Sequence, residues 1–187
     1  MRGANPTLLD FLLEAETLDR VPRSGYLLRG VADPESVAEH SFHLALIVRL
    51  LAAREPGLDA ARAVEIALVH DLAELRVGDL PRTAGGYFAD GAKHDAERRA
   101  AADILAPADA GLAAAYAEYD AGESREARFV RACDKLQLMI KVSVYQGWGQ
   151  AALAEFWRHP ANFPGREFGA VAEIFERLRE RCAPAAG

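Results

Sequence analysis

Apolar residues in this chain recur at helical spacing, and no stretch alternates strongly enough to predict a sheet. The longest such run opens at Ser124 and continues to about Tyr145, with Phe129, Cys133, Leu136, Ile140 and Val144 as its stripe. A second has Asp59 as its cap and Val64, Ala67, Leu68, Leu72 and Leu75 as a broad face, and should run until Gly78 stops it. Ser36-Val37-Ala38-Glu39 has the form of a capping box and starts a third helix at Ser36. Asn5, with Pro6 at the first helical position, predicts a helix that ends near Asp19 and buries Leu8, Leu9, Leu12, Leu13 and Leu18. Lys93 to Leu105 and Asp109 to Tyr119 read as a charged and an alanine-rich helix, and Trp148 to Arg181 as two amphipathic segments. Arg20 to Pro34 holds Pro22, Gly25, Gly30 and Pro34 without a sustained period, so it should be a loop on the helical body. The expected fold is therefore all-α.

With 187 residues, 51% of them hydrophobic, the chain suits one compact domain over residues 1–187. A formal charge of −6 and a pI near 5.4 argue against a grip on a nucleic-acid polymer or an anionic membrane, which needs a basic excess. Any phosphate must be held locally. Cys133 and Cys182 are too few for a disulfide framework, and no stretch has the character of a signal peptide or a membrane span, so the expected compartment is the cytoplasm.

Chemistry concentrates in Ala67-Leu68-Val69-His70-Asp71-Leu72-Ala73-Glu74-Leu75-Arg76-Val77-Gly78-Asp79-Leu80-Pro81, where an apolar helical run ends in a dense group of ionisable side chains. Imidazole and carboxylate from consecutive residues can bind one divalent cation if two more ligands reach the same point. His40 and Asp134 are the candidates. Spacing puts His40 on the inward stripe with Leu44, Ile47 and Leu51, but periodicity alone does not separate it from His43. A buried Asp134 needs a cation or a basic neighbour, and Lys135 or Arg131 could supply the latter. Glu74, within one turn of His70 and Asp71, is in reach of a water on such a cation. Asp79 follows the stop at Gly78 and is either functional or turn-forming. Two imidazoles and two carboxylates suit Mn²⁺, Co²⁺, Fe²⁺ or Mg²⁺. Gly85 to Gly91 has the composition of a mobile rim.

Together, His40, the His70-Asp71 doublet and Asp134 resemble the H…HD…D pattern of the HD-domain metal-dependent phosphohydrolases. Arg20-Val21-Pro22-Arg23-Ser24-Gly25-Tyr26, Pro34-Glu35-Ser36-Val37-Ala38-Glu39-His40 and the segment from His70 to Asp79 are similar to the 5′-deoxynucleotidase branch. The similarity runs from about Leu8 to about Leu178, which implies an HD-domain helical bundle followed by a short flexible C-terminal tail. It selects His40 over His43, and it implies hydrolysis of a nucleoside 5′-monophosphate by a metal-activated water, in a homodimer. Glu74 would orient or deprotonate that water. Arg20 corresponds to an arginine that approaches the phosphate, with Arg23 and Arg82 as further candidates, although Val21 stands where some bacterial members have tryptophan. Asp79 would touch substrate or hold a second metal with Glu74 and the Leu80 carbonyl. The same ligand pattern also resembles HD-domain di-iron oxygenases, and a nucleotide-sensing module without turnover is a further alternative.

Overall fold

The computed structural model describes residues 6–182. Its α-helices are α1 (Leu8–Ala15), α2 (Ser24–Leu27), α3 (Val37–Ala52), α4 (Ala60–Val69), α5 (Glu74–Val77), α6 (Ala92–Leu105), α7 (Ala110–Ala121), α8 (Arg125–Gly147) and α9 (Gly169–Cys182). Tighter 3₁₀ turns occupy Glu16–Arg20, Arg82–Tyr87, Ala151–Arg158 and Pro160–Asn162. The fold is all-α. Among the described residues the only extended pairing is an isolated antiparallel bridge between Pro22 and Ser36. No described helix is long and apolar enough to cross a membrane.

Helix α3 starts where its capping box dictates. The Ser36 hydroxyl accepts from the Glu39 amide at 3.1 Å, and the Glu39 carboxylate accepts from the Ser36 amide at 2.7 Å. This fixes the helical phase, which buries Val37, His40, Leu44, Val48 and Leu51 and leaves Ile47 only partly covered. Helix α3 packs on α4 and α8, α7 packs on α4, α6 and α8, and α9 lies along α8. Between them Leu44, Ile66, Ile104, Phe129, Leu136, Met139, Leu153 and Phe168 are fully enclosed. Each such side chain contributes roughly 1.5–3 kcal/mol of burial free energy.

The bridge between Pro22 and Ser36 anchors the loop that precedes α3. Val37 donates to the Val21 carbonyl at 2.8 Å, and Arg23 to the Glu35 carbonyl at 3.0 Å. Residues 21–23 are thereby fastened to the first turn of the helix that carries His40.

Three expectations are corrected. The first helix is capped by Thr7, in its own capping box with Asp10, while Asn5 lies outside the described residues, as does the tail after Cys182. Leu8, Leu9, Leu12 and Leu13 point outward, because α1 rests on the body through Phe11 and through Glu14, which Arg76 grips at 2.7 and 2.9 Å; Leu18 alone of that set is buried. The helix begun at Asp59 does not run to Gly78. It ends at Val69, and the amides of Leu72 and Glu74 bond three residues back, to Val69 and Asp71, before α5 resumes. Gly78, at φ 74°, then stops α5.

Replacing Ser36 with alanine removes the acceptor for the Glu39 amide. Stability should fall by about 0.5–2 kcal/mol in chemical denaturation, with the slope against denaturant unchanged.

Candidate metal centre

The break after α4 places His70 and Asp71 opposite α3 and α8. His70 Nδ1 lies 2.8 Å from the Ala67 carbonyl, and a carbonyl only accepts, so Nδ1 carries the proton and Nε2 a lone pair. His40 Nδ1 lies 2.7 Å from Gln137 Oε1, which has the same consequence. Both Nε2 atoms are buried and without a hydrogen-bond partner. They face carboxylates: His70 Nε2 is 3.0 Å from Asp71 Oδ2, and His40 Nε2 is 3.7 Å from that oxygen and 3.3 Å from Asp134 Oδ1. One atom each of His40, His70 and Asp71 falls within 4.8 Å of the other two. Acceptors converging on acceptors in a buried space repel unless a positive charge sits between them.

These residues fit a divalent cation. The charges around them agree: burial opposes charge on His70, yet Asp71 and then Asp134 outweigh it and raise the imidazole above its ordinary value. Burial likewise works against charge on Asp71 and Asp134. His70 and Arg23 for the first, and Lys135 and His40 for the second, hold them below the usual carboxylate range. Glu74 goes the other way: burial, then Asp71 and Asp79, push it up to about 10, and its Oε2 is buried without a partner. Negative charge is thus in excess around the centre.

Other expected residues take different places. Arg20 has an 86% exposed side chain, lies 3.9 Å from Asp19, and is not among the described residues that line the cleft. Arg23 lies inside, its Nη1 3.2 Å from Asp71 Oδ2 and 3.4 Å from Asp79 Oδ1. Burial would weaken its charge, but Asp71, Asp79, Asp134 and Glu74 more than compensate and hold it firmly protonated. Asp79 Oδ2 accepts from the Ser24 amide at 2.5 Å and from its hydroxyl at 2.8 Å, so both Asp79 oxygens are already engaged by donors. His43 stands off the cluster, half exposed, with Nδ1 3.9 Å from Glu35.

Two lobes of one cleft, of about 490 and 760 Å³, meet over Asp71, Glu74, Tyr119 and Asp134. Arg23, Leu80 and Arg82 line the wider lobe, where Arg82 contacts His159. Lys93 and Lys135 line both lobes, and Lys135 Nζ lies 2.8 Å from Asp134 Oδ2. Lys93 had no signal in the sequence, since it begins a helix that reads as a solvated charged one. Gln137 had one: an amide amid the core stripe of α8, 2% exposed, one turn after Asp134.

A helical bundle that buries two histidines against two aspartates at a break between helices defines a class. Residues 15–171 match the HD domain family, and the chain belongs to it. Among particular proteins it is similar to the 5′-deoxynucleotidase HDDC2 of Mus musculus, with 34% identity over 148 residues covering 77% of this chain and 72% of that protein. A solved structure of a conserved hypothetical protein from Pyrococcus furiosus is similar at a TM-score of 0.78 and 34% identity, over 92% of this chain and 99% of that one. Another, a predicted metal-dependent phosphohydrolase from Magnetospirillum magnetotacticum MS-1, reaches a TM-score of 0.66 at 26% identity, over 94% of both chains.

Alanine at His40, His70 or Asp71 should lower the Mn²⁺ retained after gel filtration, whereas His43→Ala should retain as much as wild type. Binding should weaken as pH falls from above the ordinary imidazole value of about 6.5, because the raised His70 takes a proton where the cation would sit. Metal analysis and titration calorimetry across pH check both.

Proposed function

We propose that this HD-domain protein is a divalent-metal-dependent phosphomonoesterase that hydrolyses nucleoside and deoxynucleoside 5′-monophosphates to nucleoside and phosphate. The observation that carries this reading is the convergence of two unpartnered Nε2 atoms on Asp71 at the junction of a cleft, with a buried arginine alongside. The names of similar proteins, 5′-deoxynucleotidase and metal-dependent phosphohydrolase, support it. His40, His70, Asp71 and Asp134 would hold Mn²⁺, Co²⁺, Fe²⁺ or Mg²⁺. Once bound, the cation supplies Lewis acidity, which acidifies water and neutralises charge on a phosphoryl group.

The chain's own groups do the rest. Arg23 uses Nη1 on Asp71 and Asp79 and has further N–H groups to offer a phosphate in parallel, so the role expected of Arg20 passes to Arg23. Lys93 and Lys135, which face both lobes, add positive charge for a dianion. Burial, Asp71 and Asp79 raise the proton affinity of Glu74, and its unpartnered Oε2 is the atom that would take a proton from water once a cation offset those carboxylates. Asp79 anchors Ser24 and Arg23, and a second cation on Glu74, Asp79 and the Leu80 carbonyl would have to displace those donors. Tyr26, Leu138 and Phe156 give the wider lobe an apolar wall for sugar and base.

Phosphate release should be measured across deoxy- and ribonucleoside monophosphates with each divalent metal. Glu74→Gln should keep the metal and lose roughly 10²–10⁴-fold in turnover. Arg23→Ala should keep the metal and lose on the order of 10²-fold in kcat/KM towards every monophosphate alike, while Arg20→Ala stays near wild type. No release from any monophosphate with any metal would defeat the proposal.

The protein also fits a cytoplasmic homodimer. Cys133 and Cys182 are free thiols, and Leu8, Leu9, Leu12 and Leu13 on α1, with Phe42, Leu46 and Leu50 on α3, expose large apolar side chains. Light scattering should give twice the chain mass, and aspartate at Leu12 or Leu46 should shift it towards the monomer.

A further inference from the structure

We infer that Gln137 is a positioning residue for the metal-facing histidine of α3, and that Glu35 and Lys141 fix the direction of its amide. The inference rests on the metal reading of the centre and concerns a polar chain behind it. The Gln137 NH₂ group donates to both oxygens of Glu35, at 3.2 and 3.0 Å. Glu35 has a 1% exposed side chain, lies outside the ligand cluster, and accepts from Lys141 Nζ at 3.0 Å. A carboxylate held by an ammonium only accepts, so the nitrogen end of the amide must face Glu35. Its oxygen must then face His40, where it accepts from Nδ1 at 2.7 Å.

The consequence falls on the far side of the ring. With the proton held at Nδ1, Nε2 keeps its lone pair towards Asp71 and Asp134. Turned around, the amide would present N–H to Nδ1, drive the ring proton to Nε2 and aim it at the place of the cation. His70 needs no such device, because its Nδ1 partner is the backbone carbonyl of Ala67, which cannot be reversed. A buried Glu35 beside a buried amide is otherwise an unneeded burden on the core; here it sets a direction.

The test uses the intact chain freed of metal, labelled with ¹⁵N at histidine, and titrated with Mn²⁺ alone. Wild type should show His40 with its proton on Nδ1 in two-bond proton–nitrogen correlations. Gln137→Leu should populate the other tautomer and bind Mn²⁺ about 10–100-fold more weakly, the usual effect of losing a group that orients a ligand. Gln137→Glu, which restores an acceptor at Nδ1, should recover most of that affinity. Unchanged affinity in Gln137→Leu overturns the inference, as does a loss of affinity with the His40 tautomer unmoved, which a merely structural role would give. If Gln137→Leu does not fold, Glu35→Gln serves: the freed amide can face either way, the tautomers should mix and affinity should fall, and wild-type affinity in that folded variant overturns the inference. A wild-type chain that binds no Mn²⁺ sinks the metal reading as well, whereas intact variants sink this inference alone.

Discussion

Lone pairs pointed at lone pairs in a buried space are the condition on which this molecule depends. His70 faces Asp71 at 3.0 Å, and His40 faces Asp71 at 3.7 Å and Asp134 at 3.3 Å, acceptor towards acceptor. In a medium of low polarisability such an arrangement survives only if the fold holds it there and positive charge relieves it. The surroundings perform both tasks. The Ser36 box sets the phase of α3, the Ala67 carbonyl and the Gln137 amide choose which face of each ring is bare, and Arg23 and Lys135 stand close to the aspartates. Cutting α4 short at Val69 lets the consecutive side chains of His70 and Asp71 meet, Nε2 to Oδ2 at 3.0 Å.

The parts legible in the sequence were those governed by short-range rules. A serine three residues before a glutamate has one local solution, so the start of α3 followed from four letters, while the choice of His40 over His43 came from the resemblance. Asp59 and Ser124 were readable for the same reason, as caps accepting from amides just ahead of them. Illegible parts required knowing what lies across space. Leu8 and its neighbours have the spacing of a buried face, but Phe11 and Glu14 decide how α1 sits. Arg20 and Arg23 are indistinguishable as letters in one loop; the pairing of Val21 with Val37 turns one outward and the other in. The partners of Gln137 are far away in sequence, beyond any periodic reading.

Charge shows the same division between scales. The chain as a whole is acidic, yet Arg23, Arg82, Lys93, Lys135 and Arg158 all open onto the wider lobe. These cations share the lobe with Asp71, Glu74, Asp79, Asp134 and Glu155, so the positive charge a small anion could meet is local to particular side chains, while the acidic chain as a whole repels an extended polyanion.

The bridge between Pro22 and Ser36 has a consequence for how such a molecule can change over time. Because the arginine strand and the histidine helix are fastened by backbone hydrogen bonds, substitutions on either side inherit the same separation, whatever the side chains. The opposite wall, the 3₁₀ turns Ala151–Arg158 and Pro160–Asn162, is joined to that side of the cleft, among the described residues, through side chains such as the Arg29–Glu155 pair and the Arg82–His159 contact. The two walls are therefore held in different ways: a substitution in the far wall can shift that wall while the spacing between Arg23 and His40 stays as the backbone sets it.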